Sequence, residues 1–176
     1  YELLQNAEDA INSRSQSKEQ YPQKVEFKLT PSLLEFRHYG SQFSEEDVRA
    51  ICDIGEGTKK DEATSIGEHG LGFKSVYQYT NHPEIHSGDE HFRISSFVLP
   101  EAKQLLPGEI LKPGETLFKF PFDNPKTEEK AYDAIHERLK ELDLKTLLFM
   151  RNIESISWET GSGAHGGTYL REGKSI

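Results

Sequence analysis

Glu2, Asn6 and Asp9 near the amino end have types and spacing suited to phosphate chemistry. On a helix turning 100° per residue they fall within about 60° of one another, on one face. Leu3, Leu4, Ala7, Ala10 and Ile11 occupy the adjoining arc and are expected to pack on a sheet, while Gln5, Glu8 and Asn12 form a third face turned to solvent. An amide oxygen is a fair Mg²⁺ ligand, and a glutamate one turn earlier can take a proton from water. The same pattern also suits an ordinary solvated helix side.

A second element is IGEHGLGFKS, from Ile66 to Ser75. Gly67, Gly70 and Gly72 run G-x-x-G-x-G straight into an apolar helical stretch. Glycines let backbone N–H groups approach an anion, and the helix behind adds its partial positive charge. The order differs from both the Walker A loop and the dinucleotide G-x-G-x-x-G. Taken alone, such a loop is most often just a turn.

The chain around these elements has 176 residues, enough for one ordinary domain. Its formal net charge of −9 argues against a general nucleic-acid coat, which needs excess Lys and Arg. An anion must therefore be held locally, by backbone amides, a metal or a few placed cations. Cys52 is the single cysteine, so an internal disulfide and a Cys-built zinc site are both excluded. No apolar run approaches the roughly 20 residues of a membrane helix. The chain opens on Tyr1 inside helical sequence, which reads as a fragment of a longer protein lacking its N-terminal element.

The elements that must position the chemistry are legible by period. Residues 1–16 are helical in character. KVEFKLT and LLEFRHY alternate around a Thr-Pro-Ser turn and read as a hairpin. Ser44 with acidic residues behind it starts SEEDVRAICDIG, close to a capping box. GFKSVYQY reads as a short helix, with strands around Glu84–His86 and Phe92–Leu99. An excursion over residues 100–114 precedes the strand ETLFKFPF. Residues 127–142 form an amphipathic helix with Ala131, Ile135, Leu139 and Leu142 on one side. IESISWE is a strand, and the Gly-rich run 161–167 is a hairpin loop before TYLRE. Clustered strands with segregated helices give an α+β two-layer sandwich.

Together the two chemical elements resemble a known superfamily. YELLQNAEDA resembles the N box of the GHKL ATPases (gyrase, the ninety-kilodalton heat-shock chaperones, histidine kinases and MutL), and IGEHGLGFKSVY resembles their G2 box in its heat-shock-chaperone form. GEGTKK resembles the chaperone stretch before the lid. SGDEHFRI, ETLFKFPF and TLLFMRNIESISW look like the sacsin and NO VEIN branch. The N and G2 boxes stand in the right order, about 60 residues apart. The resemblance implies a single domain over residues 1–176 with the Bergerat fold, that of histidine kinase-like ATPases: a mixed sheet with helices on one face and nucleotide between helices and lid.

By position, the resemblance implies that Glu2 is the general base, expected to be buried beside Leu3 and the sheet, and that Asn6 binds Mg²⁺. Asp9 and Ala10 would line the nucleotide pocket one turn on. Gly67, His69, Gly70, Leu71, Gly72 and Phe73 would surround the phosphates, Lys59 or Lys60 would offer a cation, and Thr116 would support adenine recognition. The lid would be residues 55–69. The implied cofactors are ATP and Mg²⁺. The implied partners are ATP/ADP, other domains of a longer chain and a lid-mediated homodimer, with no direct nucleic-acid or membrane binding and an intracellular (cytoplasmic or nuclear) location. The implied activity is an ATP-driven, chaperone-like conformational switch. The alternatives are a nucleotide sensor without hydrolysis and a histidine-type protein kinase.

One box departs from the pattern. The G1 box normally reads Asp-x-Gly-x-Gly, its Asp accepting the adenine amino hydrogens. The matching stretch here is FRHYGSQFSEEDV: His38 stands for the Asp, Gly40 matches the first glycine and Gln42 replaces the second. A neutral imidazole has one acceptor nitrogen that can take the amino hydrogen. The other reading is a histidine that only packs beside the strand.

Overall fold

The computed structural model describes residues 1–15, 20–52 and 73–171. Its centre is an eight-stranded sheet built from β1 (Lys24–Thr30), β2 (Leu33–His38), β3 (Glu84–Ser87), β4 (Glu90–Ser95), β5 (Leu99–Ala102), β6 (Thr116–Pro121), β7 (Ser155–Thr160) and β8 (Gly166–Leu170). The order is β5-β4-β3-β6-β2-β1-β7-β8. Only β1 and β7 run parallel among the described strand pairs, so the sheet is mixed, as expected. The helices are α1 (Glu2–Ser15), α2 (Glu45–Cys52), α3 (Glu128–Lys140) and α4 (Leu144–Leu148), with a 3-10 turn at Lys74–Gln78.

Alternation decides which face carries the core. Phe27 pairs with Phe36 and Phe36 with Phe118, so all three side chains point to one side. Their rings meet at centroid distances of 4.7 and 6.0 Å. Leu4, Ala7 and Ile11 of α1 and Ala131, Ile135 and Leu139 of α3 are buried in the same cluster. Burying each large side chain contributes about 2 kcal/mol. The next residues along the strands, Glu26, Lys28, Glu35 and Arg37, take the other face and are half-exposed.

The local signals mostly hold. Ser44 and Asp47 cap α2 reciprocally, Asp47 Oδ2 accepting from the Ser44 amide at 2.8 Å and Ser44 Oγ from the Asp47 amide at 3.3 Å. Cys52 and Trp158 are buried, as packing residues. One strand expectation is corrected. Residues 92–99 do not form a single strand, because Ser96 and Phe97 adopt positive φ (52° and 69°) and turn the chain from β4 into β5. That turn delays the excursion, which follows Ala102. Pro100 fits because β5 is an edge strand. No helix among the described residues is long and apolar enough to cross a membrane.

Candidate functional site

The helix α1 and the end of β2 make an unusually close approach. A Cβ on Gly40 would stand 2.5 Å from the Ala10 carbonyl carbon and 2.7 Å from the Ile11 nitrogen. Only glycine fits there, because real Cβ contacts do not fall below about 3 Å. The Ser41 amide donates to the Ala10 carbonyl at 2.8 Å. Arg14 closes the seam: its Nη1 donates to the Gly40 carbonyl at 2.6 Å and the Gly114 carbonyl at 3.3 Å, while its guanidinium lies 3.6 Å over the Tyr21 ring.

His38 is the last residue of β2 and is 3% exposed. Its Nδ1 accepts the Gly40 amide at 3.1 Å, so the proton of the neutral ring sits on Nε2. Burial, with the Arg14 charge adding to it, pushes its pKa down to about 4. Its acceptor nitrogen is thus already occupied. The nitrogen that sequence reading offers to an adenine amino hydrogen is engaged by Gly40, and Nε2–H, a donor, is what the ring has left to offer.

Thr116 pairs with His38 on one side and Ser87 on the other. Thr116 and Ser87 are fully buried, their hydroxyl oxygens 2.6 Å apart. Ser87 Oγ also accepts the Phe43 amide at 3.0 Å. Ser87 therefore joins the strand ends to the loop after Gly40. Sequence reading did not single it out, since one serine in a short strand carries no periodic signal. Phe73 is buried with its ring 6.2 Å from Phe118, which in turn lies 5.8 Å from the His38 ring. Ala10, His38, Gly40 and Thr116, spread over more than a hundred residues of sequence, meet at one end of the sheet, with Phe73 in the adjoining core.

Asn6 and Asp9 are half-buried on α1, one turn and one residue before Ala10. Glu2 is exposed. The expected burial beside Leu3 is therefore corrected: Leu4 in the same turn is buried in the core, and Glu2 lies on the turn's outer side. Glu8, expected to face solvent, is also corrected. Its Oε1 accepts the Arg151 and Asn152 amides at 2.6 and 2.7 Å and the Asn152 side-chain nitrogen at 2.9 Å, and its Oε2 accepts the Ile153 amide at 2.9 Å. Four charge-assisted bonds onto one carboxylate fix the rotation of α1 about its axis, and with it the direction of Asn6 and Asp9. The LLFMRNI run earns its form here, by presenting three successive amides to α1.

Lys59, Lys60, Gly67, His69, Gly70, Leu71 and Gly72, together with the expected lid 55–69, lie outside the described residues. Among the described residues no group of three or more His, Cys, Asp or Glu side chains is arranged to hold a metal. The Asn6 side chain carries an amide oxygen, a hard donor of the kind that Mg²⁺ accepts. A cleft of about 480 Å³ opens elsewhere, on the opposite face of the sheet, lined by Glu26, Lys28, Arg37 and Glu115 among others. None of the expected nucleotide residues lines it. The Ala10–Gly40 seam is the better candidate because it gathers the motif residues.

Comparison with known proteins agrees on the branch. The model of the Sacsin domain family matches residues 1–105. The chain is 30% identical over 178 residues to Protein NO VEIN of Arabidopsis thaliana, covering 88% of this chain and 6% of that protein. It is 34% identical over 94 residues to Sacsin of Homo sapiens, covering 49% of this chain and 2% of that protein. The chain thus spans a small fraction of the length of either relative.

Proposed function

From the premise that this chain belongs to the Sacsin domain family, we propose that it is a Mg²⁺-dependent ATP-binding and hydrolysing module with the Bergerat fold, working as a conformational switch within a larger protein. The observation that carries this reading is the seam itself. Gly40, matching the first glycine of the G1 box, is forced to be glycine by contact with Ala10 of the N-box helix, and Thr116 of the last box is its neighbour through His38.

In this reading Asn6 would hold the Mg²⁺, which would supply positive charge against the phosphate charge that the acidic chain otherwise repels. Glu2 would orient and deprotonate the attacking water; because its side chain is exposed, this role requires that closure over ATP bring it out of bulk solvent. The backbone around Gly67, Gly70 and Gly72 cradles the phosphates, with Lys59 or Lys60 as a lid cation. His38 presents Nε2–H, which suits an acceptor on a purine edge rather than the adenine amino group. Nucleotide state is then relayed to other domains or to a second protomer through the lid.

A second reading is favoured by His38 in place of the G1 carboxylate and by the exposure of Glu2: a module that binds nucleotide and does not hydrolyse it. Calorimetry with ATP, ADP and GTP in the presence of Mg²⁺, combined with phosphate release, separates the two. Binding with release supports the hydrolysing module, binding without release selects the sensor, and no binding of any nucleotide overturns both.

A further inference from the structure

On the other face of the sheet, away from the Ala10–Gly40 seam, two histidines meet across the β3–β4 hairpin. His86 and His91 are directly paired in register, and their Nδ1 atoms lie 3.2 Å apart. Their ring centroids are 5.3 Å apart. His86 is fully buried and His91 half-exposed, so the pair has one fixed and one accessible member.

Three features bear on what the pair can hold. First, His86 Nε2 is buried without a hydrogen-bond partner, and Glu84 Oε2 stands 3.8 Å from it. A proton on Nε2 facing that carboxylate leaves Nδ1 as a lone pair aimed at His91. A carboxylate behind an imidazole, fixing its tautomer, is the usual outer partner of a metal-bound histidine. Second, at a metal–nitrogen distance of about 2.1 Å, nitrogens 3.2 Å apart subtend an angle of roughly 100° at the ion. The separation matches the bite of a tetrahedral ion, and binding requires both rings to turn so that their Nδ1 lone pairs converge on it. Third, Asp89 in the connecting turn and Glu90 at the start of β4 directly precede His91, so negative charge lies near the accessible ring.

We propose that His86 and His91 form a two-imidazole site for a borderline divalent transition-metal ion of the zinc type, with water completing the coordination. Neutral imidazole nitrogen selects Zn²⁺, Ni²⁺ or Cu²⁺ over Mg²⁺, which prefers oxygen ligands. In the metal-free pair one Nδ1 carries the shared proton. Binding moves that proton to His91 Nε2, and the ion takes both Nδ1 lone pairs. The site bridges two strands of the hairpin that holds Ser87, so occupancy stiffens β3 and β4. The inference is independent of the nucleotide reading, since it uses none of the same residues.

Zinc chloride titrated into the metal-free protein tests it, followed by calorimetry and by the histidine ring signals in NMR spectra. One Zn²⁺ is expected to bind with both His86 and His91 ring signals shifting together. His91→Asn, a half-exposed replacement that leaves the core intact, should weaken binding at least tenfold, and a tenfold excess of Mg²⁺ should not compete. His165→Asn, which alters a separate ring pair with His136, should leave the affinity unchanged. Absence of Zn²⁺ uptake, unchanged affinity in His91→Asn, or loss confined to His165→Asn would overturn the proposal. Because His91→Asn must also keep the wild-type near-ultraviolet circular dichroism, loss through unfolding is recognised as such, and the ring signals of the wild type then decide.

Discussion

His38 Nδ1 accepts the amide of Gly40 at 3.1 Å, closing the end of β2 onto itself two residues on. The bond orients the ring, sets its tautomer and keeps it neutral in a buried position. It also makes His38, expected from the resemblance to read a base, a residue that organises the seam against α1.

A pH dependence follows from that burial. The folded ring protonates only near pH 4, the unfolded one near 6.5. Between those values the unfolded chain binds more protons, so the contribution of His38 to stability is intact above pH 6.5 and lost as pH falls toward 4. The loss between pH 7 and pH 5 amounts to about 2 kcal/mol. His38→Asn, whose side-chain oxygen can accept the Gly40 amide, should remove that component. Urea unfolding of both proteins at pH 7 and pH 5 checks it; equal pH dependence in the two contradicts it.

The same value bears on nucleotide binding. His38 stays neutral from pH 5.5 to 8, so its ring should impose no change in ATP affinity over that range. Affinities of wild type and His38→Ala that diverge toward acid pH would mean that the ring titrates in the complex.

Gly40→Ala should be costly. The added methyl group meets Ala10 and Ile11 backbone rather than a flexible side chain, and overpacking of this kind costs about 1–3 kcal/mol. Nucleotide affinity should fall together with stability, because the seam between α1 and β2 must open. A denaturation midpoint equal to wild type contradicts the close approach.

Glu8→Ala leaves three backbone amides and one side-chain amide without their acceptor. A loss of about 2 kcal/mol is expected, measured by chemical unfolding. Gln5→Ala, on the exposed side of α1, should change stability by less than about 0.5 kcal/mol.

The comparison between α1 and β2 shows how far sequence reading reaches. Period and turn residues locate almost every strand and helix, because hydrophobic alternation directly encodes the buried face. The boxes place Ala10, His38, Gly40 and Thr116, which the fold brings together. What escapes is pairwise and long-range. Glu8 looks like a surface residue until the chain returns at Arg151, and Ser87 becomes important only through its register with Thr116. The split between β4 and β5 depends on positive φ at Ser96 and Phe97, residue types that do not advertise it. Alternation along β2 puts His38 in phase with Leu34 and Phe36, but its bond to the Gly40 amide is a contact that no periodicity encodes.

Glu2→Ala separates binding from turnover. The variant should retain Mg²⁺–ATP affinity within a few-fold of wild type and lose phosphate release. Turnover equal to wild type would remove Glu2 from the role of base.

The central claim is that the α1 face and the glycine loop close on one nucleotide. Paramagnetic broadening by Mn²⁺–ATP, read on backbone amide signals, tests it most directly. Broadening of Asn6, Asp9 and Gly40 together with Gly70 and Gly72, abolished by excess Mg²⁺–ATP, is the result predicted here. Broadening that spares Asn6, or that reaches α1 without the glycine loop, would contradict it.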